Sequence, residues 1–162
     1  MTDNYRIVVG VDGSDGGRRA LQWAVHEAVS RGGTVQVVTA WRWDTVDIPP
    51  HATTHPDQER ERAERALAHD IESLPEFERA RVTIASEVVE GRAADVLTAA
   101  SRDADMLVLG SHGHGRVRHT VLGSVSEECV RNATCPVLVL PTGQGVHHPS
   151  SDPAVRARPP AH

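Results

Sequence analysis

The sequence predicts an α/β fold: three layers, with helices covering both faces of a five-stranded parallel sheet. Three observations predict it. Short β-branched apolar runs alternate with stretches of helical periodicity along the chain, the rhythm of βαβ units. The apolar runs are continuous rather than alternating, as strands covered on both faces must be. Turn-forming and helix-capping residues stand at the junctions, so each run is short enough to be a strand.

The first run, Arg6-Ile7-Val8-Val9-Gly10-Val11, reads as a buried strand. Asp12-Gly13-Ser14-Asp15 supplies turn and N-cap chemistry. Ala20, Leu21, Ala24, Val25, Ala28 and Val29 then recur at helical spacing, and Gly32-Gly33 ends that helix. Thr34 to Trp41 is the second strand. Residues 42–56, with Pro49-Pro50 and Pro56, form a loop or lid. Asp57 opens a helix running to about Leu74, supported by Glu61 and Arg65 four apart and closed by Pro75. Val82 to Val89 is the third strand, and a helix from about Arg92 to Ser101 follows Gly91. Met106-Leu107-Val108-Leu109 is the fourth strand, Ser124 to Asn132 a helix, and Val137-Leu138-Val139-Leu140 the fifth strand. One domain over 1–141 accounts for all of these. Residues 142–162, rich in Pro, His and Ser, are expected to be a disordered tail.

Composition excludes several function classes. The net charge of −5 argues against a nucleic-acid binder, whose footprint is basic. No apolar run approaches the ~20 residues of a membrane span. Met1-Thr2-Asp3-Asn4 leads into the first strand with no secretory pattern. The 2 cysteines make no disulfide framework, and the expected location is the reducing cytoplasm. All 17 basic residues are Arg, which removes a P-loop lysine, a Schiff-base lysine and a lysine nucleophile together. No G-x-G-x-x-G follows the first strand and no G-x-S-x-G is present, so a dinucleotide fold and an esterase elbow are unsupported.

In open parallel sheets, ligands bind beyond the carboxyl ends of the strands, where the winding reverses. The turns after the first and fourth strands are the best equipped for a ligand. If they flank the reversal, the strand order is 3-2-1-4-5. The fourth turn reads Gly110-Ser111-His112-Gly113, then nine residues, then Gly123-Ser124. Gly110 and Gly113 let backbone N–H groups approach a phosphate chain. Gly123-Ser124 begins a helix, whose unpaired amides and positive dipole end favour an anion, and the Ser124 hydroxyl adds a donor. The bland alternative is a glycine-rich surface loop with an ordinary cap.

The spacing Gly110-x-x-Gly113-(nine residues)-Gly123-Ser124 resembles the nucleotide-binding motif of the universal stress protein family. Gly123-Ser124-Val125-Ser126, Cys135-Pro136-Val137-Leu138-Val139, the opening Val9-Gly10-Val11-Asp12-Gly13-Ser14 and Ala20-Leu21-x-Trp23-Ala24 look like the same family, in matching order over 5–141. The resemblance implies an adenine nucleotide alpha hydrolase-like sheet, an ATP-type site at the reversal and homodimers paired through the last strand. It implies phosphate and ribose contacts from Gly110, Gly113, Gly123 and Ser124. Asp12 would lie beside the ribose and adenine, and Ala40 would offer its backbone to the adenine edge. Ser111, His112, Val125 and Ser126 complete the candidate nucleotide-binding set. The implied function is an ATP-binding regulator of a stress response. A slow ATPase or autokinase at the same site, a cyclic AMP or AMP regulator, and a structural dimer with an empty pocket are the alternatives.

Each candidate has a second reading. Asp12 could instead cap the first helix, a role open to Ser14 as well. Mg2+ beside the phosphates would offset the Asp12 carboxylate, but a single carboxylate makes a poor magnesium site. His114, Arg116, Arg118 and His119 offer cationic groups near phosphate, or a solvated surface. Trp41 and Trp43 could stack on adenine or anchor the long loop. The 10 histidines, among them His51, His55, His147 and His148, show no zinc spacing. Cys129 and Cys135 are expected to face the core. No catalytic residue and no metal ligand is assigned.

Overall fold

The computed structural model describes residues 4–43, 55–114 and 122–141. The expected tail, His51, Arg116, Arg118, His119, His147, His148 and most of the 42–56 loop lie outside the described residues.

Strand β1 (Arg6–Gly10) has a fully buried centre of Ile7, Val8 and Val9. It feeds helix α1 (Asp15–Arg31), which Ser14 caps by accepting the Gly17 N–H at 3.2 Å. Gly32 ends α1 in the left-handed region at φ 65, which an L side chain rarely adopts, and Gly33 donates back to the Ala28 carbonyl at 2.8 Å. Strand β2 (Thr34–Trp41) follows. Helix α2 (Pro56–Glu72) starts on a proline, whose missing N–H costs nothing at a first helical position. One feature differs from the sequence expectation. Pro75 does not simply close α2 but introduces a one-turn helix, α3 (Glu76–Arg79), packed on α1. A single turn carries no periodicity by which a sequence could reveal it. Strand β3 (Thr83–Glu90), helix α4 (Ala93–Ala100), strand β4 (Met106–Gly110), helix α5 (Ser124–Asn132) and strand β5 (Val137–Leu140) complete the fold.

The sheet is parallel throughout, in the order β3-β2-β1-β4-β5. Alternate residues of each strand serve opposite cores. Ile7, Val9, Val35, Val37 and Val108 pack under α1 and α2 with Leu21, Ala24, Val25 and Leu67. Val8, Val38, Leu107 and Leu109 pack under α4 and α5 with Leu97 and Cys129. β1 and β4 are neighbours whose following helices lie on opposite faces. That divergence opens a crevice at their carboxyl ends.

Candidate functional site

A cavity of about 110 Å³ occupies the crevice, several times the space one water needs. Its apolar side is Val38 and Ala40 of β2, Ala93 and Leu97 of α4, and Leu109 of β4. Its polar side is Asp12 and Ser14 from the turn after β1, His112 and Gly113 from the loop after β4, and Val125 and Ser126 from the start of α5. Gly10, Val11, Gly17 and Gly110 complete the wall.

The turn after β1 is ordered by its own side chains. Asp12 Oδ1 accepts from the Ser14 N–H at 3.0 Å and from the Ser14 hydroxyl, an Asx turn. Arg18 holds the same turn from outside. Its Nη1 donates to the Gly13 carbonyl at 2.9 Å and reaches Asp70 Oδ1 at 3.4 Å, while Nη2 pairs with Asp15. Asp70, on α2, is 1% exposed, and its Oδ2 has no partner among the described residues. A buried carboxylate paired with Arg18 ties α2 to the turn, since losing that cation would leave the charge without its partner.

The loop after β4 is fixed by its backbone. The Ser111 N–H donates to the Leu140 carbonyl and the Gly123 N–H to the Ser111 carbonyl, each at 2.7 Å. Ser111 Oγ and His112 Nδ1 share a hydrogen bond of 3.1 Å. Gly110 is packed against α1: a Cβ there would stand 2.8 Å from the Gly16 carbonyl carbon. A Cβ on Gly113 would collide with Asp12 Oδ2, so the two sides of the mouth meet in the space that glycine leaves. His114 Nε2–H donates across the mouth to the Asp12 carbonyl at 2.7 Å.

Helix α5 begins on Gly123, with no side-chain cap. The amides of Ser124, Val125 and Ser126 have no hydrogen-bond partner among the described residues. The first turn of a helix leaves such N–H groups orphaned, and their dipoles add to a positive potential. The Ser126 hydroxyl is already committed to the Gly110 carbonyl at 2.8 Å. Among the described lining residues the cavity carries one carboxylate, Asp12, and no arginine.

The structure brings together Asp12, Ala40, Gly110, His112, Gly113, Val125 and Ser126 at the cavity wall. Ser111 and Gly123 sit one step behind it, as the backbone braces just described, and Ser124 is exposed at the head of α5. Sequence reasoning missed the apolar side: Val38, Ala93, Leu97 and Leu109. Ala93 and Leu97, four apart on α4, were a usable signal, but their type is that of any core helix. Trp41 and Trp43 are half-buried and do not line the cavity. Cys129 is fully buried on α5, where desolvation pushes its thiol above the ordinary range. Cys135 packs against the same cluster.

Known proteins carry the same pattern. The model of the universal stress protein family matches residues 4–141. Universal stress protein Rv2624c of Mycobacterium tuberculosis is 37% identical over 151 residues, covering 90% of this chain and 51% of its own length. The chain thus spans about half the length of this relative. A crystal structure of a universal stress family protein from Burkholderia pseudomallei superposes with a TM-score of 0.64 at 28% identity, over 88% of this chain and 99% of that one. A crystal structure of a universal stress protein in complex with cAMP superposes with a TM-score of 0.56 at 25% identity, over 86% and 98%. The sheet order, its helical layers and these neighbours define an adenine nucleotide alpha hydrolase-like fold. From its first strand to its last, this chain belongs to the universal stress protein family.

Proposed function

We propose that the chain binds an adenine nucleotide, ATP in the first instance, in the crevice between β1 and β4, and that occupancy sets its conformation or choice of partner in a stress response. The observation that carries this reading is the start of α5, which has no side-chain cap and whose first three amides, beside the cavity, have no partner among the described residues. Apolar Val38, Ala40, Ala93, Leu97 and Leu109 suit a base, with the Ala40 backbone at its edge. Asp12 Oδ2 suits a ribose hydroxyl, since only Oδ1 is bound within the turn. Gly113, Gly123 and the amides of Ser124, Val125 and Ser126 suit phosphate. Gly110, Ser111 and His112 hold that loop in place. Mg2+ gains little support, because Asp12 is the sole carboxylate of the described lining. The neighbour in complex with cAMP supports an adenine nucleotide and makes cyclic AMP the main competitor of ATP.

The test is a thermal-shift and calorimetric series with ATP, ADP, AMP and cyclic AMP. A ligand at 100-fold over its Kd should add about 2.7 kcal/mol of stability. No shift and no heat with any of the four would refute the reading, and a response to cyclic AMP alone would replace ATP with it.

The same reading includes a homodimer through β5. This strand ends the sheet, and all four of its apolar side chains are half-buried. At the other edge, β3 presents exposed Ser86, Glu87 and Glu90, charge of the kind that discourages edge pairing. A second copy on β5 would cover the apolar edge. Sedimentation at micromolar concentration should return a dimer, and a monomer there would reject the pairing. Two free cysteines support a cytoplasmic location. No described helix is long and apolar enough to cross a membrane.

A further inference from the structure

The two sides of the cavity mouth belong to loops 102 residues apart in sequence, joined by the hydrogen bond from His114 to the Asp12 carbonyl. We propose that His114 is a latch: it holds residues 111–114, at the start of the loop after β4, to the turn after β1 and so sets the rate at which a nucleotide enters and leaves.

Three observations carry this. The receiving side is fixed in advance, because Asp12 Oδ1 is bound to the Ser14 N–H and hydroxyl and Arg18 holds the Gly13 carbonyl. The arriving side is shaped to dock, because Gly113 lacks the Cβ that would strike Asp12 Oδ2. The bond itself is solvent-exposed, at 2.7 Å. An exposed hydrogen bond exchanges with water at little net cost, so it opens often while still biasing the population. His114 lies outside the cavity wall, whereas Asp12 and Gly113 form it. Its loss therefore loosens the rim without removing a group that faces the ligand. The acceptor is a carbonyl oxygen, so Nε2 is the protonated ring nitrogen, and the amide nitrogen of glutamine can take its place.

This inference rests on the nucleotide reading for its ligand, and the experiment separates the two. His114→Ala and His114→Gln are compared with the wild type by stopped-flow binding of fluorescently labelled ATP and by hydrogen exchange of residues 111–114 in the ligand-free protein. His114→Ala should raise the association and dissociation rates together by about 3- to 10-fold, leave Kd within about 2-fold, and speed loop exchange by a similar factor. His114→Gln should restore both. Unchanged rates with unchanged exchange overturn the latch, as does a rise in dissociation alone, which marks a direct ligand contact. If labelled ATP fails to bind the wild type, the ATP reading fails, and hydrogen exchange decides the latch by itself. Faster exchange in His114→Ala that His114→Gln reverses upholds the fastening, and unchanged exchange rejects it.

Discussion

The two helices that begin at the cleft, α1 and α5, leave nearly the same backbone and treat their first amides in opposite ways. The N-cap of α1 is Ser14 at φ −80, ψ 161, and that of α5 is Gly123 at φ −70, ψ 161. Any residue can adopt either conformation. Glycine is therefore not at 123 for its backbone freedom. Serine at 14 turns its oxygen onto the Gly17 amide, whereas glycine at 123 has nothing to turn, and the amides behind it have no partner among the described residues. One helix start is closed by its own side chain, and the other is left for something else to close.

The comparison breaks most sharply if α5 is given what α1 has. Gly123→Asp places a capping carboxylate over the open amides. Its Cβ meets the Ser111 carbonyl oxygen at 3.0 Å, tight but within reach of a small shift. We expect nucleotide affinity by calorimetry to fall by at least ~100-fold, with folding stability changed by less than about 1 kcal/mol. Next in size is a stability effect. Gly110→Ala drives a methyl into the Gly16 backbone, 2.8 Å away, and should cost about 1–3 kcal/mol in urea unfolding. Full stability there would show that the strand and helix can part freely.

A smaller effect follows from removing the cap that α1 owns. Ser14→Ala should cost about 1 kcal/mol in the same unfolding assay. The smallest belongs to Ser124→Ala. The hydroxyl is exposed and the amide remains, so affinity should fall by no more than about 3-fold. A far larger loss would move the phosphate contact from main chain to side chain and undo the contrast between the helix starts.

Much of this was legible in the residues. The short apolar runs and the turn chemistry between them gave the five strands, and placing the two ligand-equipped turns at the reversal of winding gave their order. Ser124–Asn132 and Val137–Leu140 fall where the pattern put them. Gly113 lies at the mouth and the Gly123-Ser124 pair at the start of α5, where small residues have a direct physical use. The apolar side was not legible, because Leu97 and Leu109 are the same kind of residue whether they face a core or a cavity. Nor was the tie from Asp70 to Arg18, which joins residues 52 apart and is carried by one charge in an otherwise ordinary acidic helix. Gly110 reads as a phosphate-approach glycine in sequence, and in space it also answers to Gly16.

That last contact governs how the protein can respond to anything it binds. Where α1 meets the end of β4, the Gly16 and Gly110 backbones approach too closely for a Cβ to stand between them. Side-chain layers yield by changing rotamer, and bare main chain cannot. The base of the crevice thus behaves as an anvil rather than a cushion. Whatever movement occupancy produces must pass outward, through the parts of the chain that are fastened by exposed bonds alone.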